Sequence, residues 1–347
     1  MQHVLIQKSG KAGRITLNRP QALNALSVDM CQTINSALDD WRDDPDISLL
    51  IIDAIGDRAF CAGGDIASAY HHGVAGDFDT PRNFFGTEYR MNAALFNFPK
   101  PVATFMQGFT MGGGIGVGCH ASHRVVGDSL QMALPECSIG LVPDVGSTLL
   151  LAQASGRLGE FIGLTGYRMS AADAIHAEFA DYFIPESNWP TLIEKLCDTG
   201  DWTQIDAAQH AIGPSQLADW QSEIDTYFGG ETIGDIYRGL PDDLGPAVTF
   251  ATKAMAKGAP LSLACTLEII RRIKLRPTIE HALDQEYRFT SRALEKGDLI
   301  EGVRAAIIDK DKSPNWRHRS IDALPGFEVF QMLLPQVEAP LGLAPTL

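Results

Sequence analysis

The chain has 347 residues, of which 45% are apolar and 20% charged, an ordinary balance for one large or two modest globular domains. Its formal net charge of −15 repels phosphate backbones, which argues against nucleic acid as a main partner. The apolar runs are too short to cross a bilayer, so we expect no membrane partner.

Six cysteines are scattered along the chain without a C-x-x-C pair. This pattern is typical of reduced thiols and predicts neither a disulfide framework nor a zinc site. The sequence begins as a hairpin, without a signal peptide or an Arg/Ser-rich presequence. We therefore expect a cytoplasmic protein, and a mature form in the mitochondrial matrix stays open.

The first elements are a predicted hairpin and a helix. Residues 3–18 contain two strand-like runs, VLIQKS and RITLNR, around a turn at residues 10–13. Ser27 is a predicted N-cap, and apolar residues recur at helical spacing from Cys31 to Trp41.

Strands and glycine-rich turns alternate with helices in the next segment. A buried-strand run at Ser48–Asp53 precedes the turn GDRAFCAGG, and Asp65 caps a predicted helix. A helical stretch follows over 77–98, and the strand PVATFM leads directly into the glycine cluster of residues 106–120. This alternation predicts an α/β fold with parallel strands.

The pattern changes near residue 185, beyond which helical segments take over, with strong periodicity at 262–275 and 279–296. We expect a core domain with the active site at 1–185. A mostly helical C-terminal region at 186–347 is expected to pack on it.

Two glycine turns, CAGG at Cys61–Gly64 and MGGG at Met111–Gly114, each follow a strand and open a helix. The spacing fits neither G-x-G-x-x-G nor a P-loop, which argues against a phosphate cradle. Amides at the start of a helix lack internal partners, so two such turns can form an oxyanion hole for a polarised carbonyl. Tight helix–strand packing is the alternative explanation for these glycines.

Two carboxylates, Glu136 and Asp144, lie in the apolar segment ALPECSIGLVPDVGS. Partial desolvation and mutual repulsion raise the pKa of such groups, which suits acid–base work near neutral pH. In the alternative interpretation Glu136 caps a turn and Asp144 caps the helix VGSTLLLAQA.

Four of these segments together, AFCAGGDI, KPVATFMQGFTMGGGIGV, ALPECSIGLVPDVGS and LTGYRMSAADA, resemble the enoyl-CoA hydratase/isomerase (crotonase) superfamily. The match runs over nearly the whole chain, and EGVRAAIIDKDKSPNW resembles a C-terminal motif of its 3-hydroxyisobutyryl-CoA hydrolase subgroup. The resemblance implies an α/β superhelix of ββα turns with a helical C-terminal region. It also implies an acyl-CoA thioester substrate, no cofactor beyond the coenzyme A of that substrate, and a possible homo-oligomer.

The resemblance also implies residue roles. The backbone N–H groups of Gly64 and Gly113 form the oxyanion hole, and Glu136 is the main catalytic carboxylate, either as nucleophile or as general base on water. Asp144 positions water or the substrate hydroxyl, and Glu88 orients the acyl end.

Two departures from the superfamily pattern bear on the reaction. Hydratases place a first acid where this chain has Gly116, so ordinary enoyl-CoA hydration is disfavoured. Hydrolase-like members usually have glycine where this chain has Ser147. The predicted reaction is hydrolysis of a short-chain 3-hydroxyacyl-CoA thioester, as in valine breakdown. A double-bond isomerase and a non-catalytic scaffold are the alternatives.

Overall fold

The computed structural model describes residues 2–241, 245–336 and 340–343. Strands and helices alternate as far as Phe183, and the elements described beyond that residue are helical. The strands are β1 (Val4–Ser9), β2 (Ala12–Leu17), β3 (Leu49–Ala54), β4 (Ala59–Cys61), β5 (Val102–Met106), β6 (Phe109–Met111), β7 (His123–Val126), β8 (Gln131–Ala133) and β9 (Tyr182–Phe183).

The helices differ widely in length. They are α1 (Val28–Arg42), α2 (Ile66–Val74), α3 (Asp79–Phe96), α4 (Gly113–Gly118), α5 (Ser147–Gln153), α6 (Leu158–Thr165), α7 (Ala171–His176), α8 (Trp189–Thr199), α9 (Thr203–Ala208), α10 (Gln216–Tyr227), α11 (Ile233–Gly239), α12 (Pro246–Met255), α13 (Pro260–Leu275), α14 (Ile279–Lys296), α15 (Leu299–Val303) and α16 (Gly326–Met332). Short 3-10 turns occur at Pro20–Ala22, Glu136–Ile139, Glu186–Asn188 and Ile321–Ala323, and a π-helical turn at Arg304–Ile308.

The strands form two sheets. One sheet has six strands in the order β1-β2-β3-β5-β7-β9, and the other has three in the order β4-β6-β8. Only β1 and β2 pair antiparallel, as the predicted hairpin; the remaining described pairs are parallel. The chain visits the two sheets alternately, from β3 to β4, β5 to β6 and β7 to β8. The predicted α/β class with a helical C-terminal region is confirmed.

Contacts between residues divide the chain into two compact units. The first unit comprises the residues up to 64, 90–133 and 168–216, and it holds both sheets. The second comprises 65–89, 134–167 and the residues from 217 onward, and its described elements are helical. The predicted domain boundary at residue 185 differs from this division and stays a prediction.

The core of the first unit lies between the six-stranded sheet and α8. Leu49 and Ile51 alternate along β3 so that both side chains point to this face. The ring of Phe105 meets Trp189 edge to face at 5.4 Å, and the Trp189 indole N–H donates to the Ile184 carbonyl at 2.8 Å. Trp189 is therefore buried with its polar group satisfied.

Helix caps predicted from the sequence occur as expected. The Ser27 hydroxyl accepts the Met30 amide at the start of α1, and the Asp65 carboxylate accepts the Ser68 amide at the start of α2. In the second unit the Thr278 hydroxyl caps α14, whose buried face follows helical spacing.

Three predicted local features are wrong. The segment Ala59–Cys61, which we expected to lie within a turn, forms β4. Similarly, β6 lies inside the glycine cluster of residues 106–120, between β5 and Gly112. Both strands have three residues, too few to show a periodicity. The hairpin turn is also shorter than predicted, because β2 begins at Ala12.

Candidate functional site

The two glycine turns are neighbours within the first unit. Strands β4 and β6 pair in parallel, so the turns that follow them start from the same edge of the small sheet. A Cβ on Gly63 would lie 3.5 Å from the Met111 carbonyl oxygen. The turn at Cys61–Gly64 therefore contacts the one at Met111–Gly114.

Glycine is required here for two distinct reasons. Gly112 has φ 46° and ψ −117°, a conformation that residues with a Cβ rarely adopt. A Cβ on Gly114 would lie 2.1 Å from the Cys61 carbonyl oxygen, far inside van der Waals contact. Close packing of α4 on β4 thus explains Gly114, as the packing interpretation predicts.

Packing does not use the amides of Gly64 and Gly113. Neither amide donates any of the loop and turn backbone hydrogen bonds found among the described residues. Gly113 is the first residue of α4, where an amide has no acceptor inside the helix. The role of the two N–H groups in an oxyanion hole stays a prediction.

The three predicted acids meet in the second unit. Glu88 lies on α3, Glu136 begins the 3-10 turn Glu136–Ile139, and Asp144 lies in the loop before α5. Their residues are 2%, 4% and 5% exposed, respectively. One oxygen each of Glu88 and Glu136 is buried without a hydrogen-bond partner. Buried carboxylate oxygens usually have a partner, so these two are candidates for contact with a ligand.

Burial raises the pKa of all three acids. It raises the pKa of Glu136 well above the usual value, and repulsion from Asp144 adds to this effect. Burial and then Asp144 likewise raise the pKa of Glu88. Burial raises the pKa of Asp144 to about 7, against a hydrogen bond from Tyr89 that lowers it. Asp144 can therefore exchange protons near neutral pH.

Asp144 does not cap the following helix. That helix, α5, begins later than predicted, at Ser147, and Gly146 occupies its N-cap position without a side-chain cap. The Asp144 carboxylate instead accepts a hydrogen bond from the Tyr89 hydroxyl at 2.7 Å. The capping alternative for Asp144 is therefore wrong.

A fourth buried acid, Glu286 on α14, was missed by the sequence analysis. It is 0% exposed, and burial raises its pKa to about 8. Its carboxylate accepts from the backbone amides of Gly146 at 2.7 Å and Thr148 at 3.0 Å. A sequence signal existed, since Glu286 falls on the apolar face of α14 with Leu283 and Ala293.

One polar network in the C-terminal part of the chain surrounds Arg304. Arg304, within the C-terminal motif, forms ion pairs with Glu301, Asp309 and Asp311. All six cysteines are buried, and none of them forms a disulfide. In the part of the chain that the structure describes, no His, Cys, Asp and Glu side chains are grouped to hold a metal ion. None of the described helices has the length and apolar character needed to span a membrane.

A family model and several known proteins match most of this chain. The model of the enoyl-CoA hydratase/isomerase family matches residues 12–333. The protein named "3-hydroxyisobutyryl-CoA hydrolase, mitochondrial" from Gallus gallus is 35% identical, over 98% of this chain and 89% of its own length. The protein of the same name from Homo sapiens is 34% identical, over 91% and 84%.

Solved structures agree with the predicted fold. An enoyl-CoA hydratase from Rhodobacter sphaeroides 2.4.1 has a TM-score of 0.92 and 51% identity, covering 96% of this chain and 98% of its own. A carnitinyl-CoA dehydratase from Mycobacterium thermoresistibile has a TM-score of 0.93 and 37% identity, covering 98% of both chains. The predicted crotonase-like fold is confirmed.

Proposed function

Because the chain belongs to the enoyl-CoA hydratase/isomerase family, we propose that it is an enzyme that hydrolyses a short-chain 3-hydroxyacyl-CoA thioester. The products are the free hydroxy acid and coenzyme A. The proposal rests chiefly on Glu136, a buried carboxylate with an unpartnered oxygen and a raised pKa. The hydrolase names of relatives that cover most of this chain support it and favour 3-hydroxyisobutyryl-CoA as the substrate type, which corresponds to valine catabolism.

Glu136 can act in two ways. As a nucleophile, its oxygen attacks the thioester carbonyl carbon, the C–S bond breaks, and its electron pair leaves on the coenzyme A sulfur. Water then hydrolyses the mixed anhydride. As a general base, Glu136 takes a proton from water, whose oxygen attacks the same carbon; the C–S bond then breaks, and the proton passes to the coenzyme A sulfur. In either route the Gly64 and Gly113 amides are proposed to stabilise the negative charge on the thioester oxygen.

The other two acids have supporting roles in this proposal. Asp144 orients water or the substrate hydroxyl and exchanges a proton with it, for which a pKa of about 7 is suitable. Glu88 orients the acyl end through its unpartnered oxygen.

Release of the coenzyme A thiol from 3-hydroxyisobutyryl-CoA and 3-hydroxypropionyl-CoA tests the proposal. We expect release by the wild-type protein and nearly none by Glu136→Gln. The matched control is Glu194→Gln, which changes an exposed glutamate on α8 and should keep full activity. No release by the wild type, or full activity of Glu136→Gln, would refute the proposal.

After a single turnover in ¹⁸O-labelled water, label in the Glu136 peptide identifies the nucleophilic route. Attack of water on a mixed anhydride at the Glu136 carboxyl carbon leaves the label in the Glu136 peptide. General-base attack leaves the label only in the hydroxy acid.

Double-bond chemistry is the second candidate, because the two solved structures above are named as a hydratase and a dehydratase. Against hydration, Gly116 supplies no side chain where family hydratases place their first acid. Isomerisation needs a single carboxylate and stays the stronger alternative. Chromatography of products from an enoyl-CoA distinguishes these reactions, since isomerisation moves the double bond and releases no coenzyme A.

Cellular location and assembly remain predictions. The vertebrate relatives are named as mitochondrial proteins. The cytoplasmic location and the homo-oligomer expected from the sequence are tested by fractionation and by light scattering, respectively.

A further inference from the structure

The backbone directly after Asp144 is strained. Val145 has φ 59° and Gly146 has φ 80°, so two successive residues adopt the left-handed region. A β-branched residue is a genuine outlier there, because its Cβ crowds the backbone. Such strain persists only where the surrounding structure holds it, and it concentrates at functional sites.

Glu286 accepts hydrogen bonds from the backbone at the C-terminal end of this strained turn. Its two oxygens accept the Gly146 and Thr148 amides, and the Thr148 hydroxyl donates to it as well. Glu286 is 0% exposed, so these three donors replace the water it loses on burial. The start of α5 has no cap from its own N-cap residue, and a carboxylate 140 positions away in sequence supplies the acceptors instead.

The same helix also supports Asp144 through a second link. Thr290 lies one turn beyond Glu286 on α14, on the same face. Its hydroxyl oxygen lies 3.3 Å from the Tyr89 hydroxyl, and Tyr89 donates to the Asp144 carboxylate. α14 thus supports the Asp144 backbone through Glu286 and its side chain through Tyr89.

We propose that Glu286 is a positioning residue that holds the strained Val145–Gly146 turn and thereby aims the Asp144 carboxylate. The proposal rests on the hydrolase function proposed above. In this role Glu286 acts through the geometry of the backbone and does not touch substrate.

The main variant is Glu286→Gln, which keeps the size of the side chain but leaves a single oxygen to accept two amides. We expect kcat for coenzyme A release to fall about 10- to 100-fold, the effect of a small misplacement at an active site, with KM within about twofold. Glu194→Gln serves as the matched control. An unchanged kcat for Glu286→Gln in an active enzyme would overturn the proposal.

A rescue experiment separates positioning from general loss of stability. Glycine adopts φ 59° without strain, whereas alanine does not. In a Val145→Gly background the Glu286→Gln change should therefore lower kcat by less than about threefold. In a Val145→Ala background, which removes similar packing but keeps the strain, it should cost the full amount. Equal losses in the two backgrounds contradict the proposal.

A structural readout keeps this test independent of the assigned reaction. If the wild type releases no coenzyme A, the hydrolase proposal fails. A crystal structure of Glu286→Gln still tests whether Glu286 holds the Val145–Gly146 turn. We expect Val145 to relax to negative φ and Asp144 to shift; an unchanged turn overturns the inference. Should Glu286→Gln not fold, Thr148→Val removes one donor alone and should give a smaller loss in the same direction.

Discussion

Replacing Gly302 with alanine tests how the turn that carries Glu136 is supported. Gly302 lies in α15, and a Cβ built on it would lie 2.1 Å from the carbonyl oxygen and 2.2 Å from the carbonyl carbon of Ile139. Both atoms belong to the backbone of the 3-10 turn Glu136–Ile139. The contact is mutual, since a Cβ on Gly140 would lie 2.4 Å from the Asp298 carbonyl carbon.

The expected effect is a net loss of stability. Overpacking a close-packed site costs about 1–3 kcal/mol, and the upper end applies because backbone atoms cannot rotate away. Alanine in place of glycine in a helix recovers roughly 0.5–1 kcal/mol. The free energy of unfolding should therefore fall by about 2 kcal/mol.

Gly239→Ala is the matched control, since Gly239 is the last residue of α11 and a Cβ there meets nothing within 4 Å. Thermal unfolding should show Gly239→Ala unchanged or slightly stabilised and Gly302→Ala destabilised. Coenzyme A release should also fall in Gly302→Ala, because the Glu136 turn must move. Equal unfolding midpoints for the two variants would refute the close-contact reasoning.

Three further outcomes follow from the site. Gly113→Pro deletes one proposed oxyanion donor at a helix position that tolerates proline, so kcat should fall by about 10²–10³ with the fold retained; unchanged turnover rejects that donor. Tyr89→Phe removes the hydrogen bond that lowers the pKa of Asp144, so the acid limb of the kcat–pH profile should move to higher pH; a shift to lower pH contradicts this. In the folded protein burial raises the pKa of Asp144 from 3.8 to about 7 and that of Glu286 from 4.5 to about 8. Between these ordinary and raised pKa values the folded state binds more protons than the unfolded state, so thermal stability should fall as the pH rises through that range. The slope should be shallower in Asp144→Asn, and a stability that rises with pH would contradict the prediction.

Features that depend on neighbours in sequence were predictable. The Ser27 cap needs only an amide three residues away, and the periodicity of α14 is visible within its own 18 residues. The segment holding Glu136 and Asp144 was likewise recognisable, because both acids stand among apolar residues. Local spacing decides these features since the interacting groups lie within one or two turns.

The surroundings of the acids were decided by tertiary structure. Tyr89 reaches Asp144 from 55 positions away and Glu286 reaches Gly146 from 140 positions away, so no local pattern could pair them. The late start of α5 follows from the left-handed Val145 and Gly146; local propensity disfavours this conformation for Val145, and distant hydrogen bonds maintain it. The sequence by itself determined which acids stand among apolar residues. How strongly water is excluded from them, and hence how far their pKa values rise, depends on segments that only folding brings together.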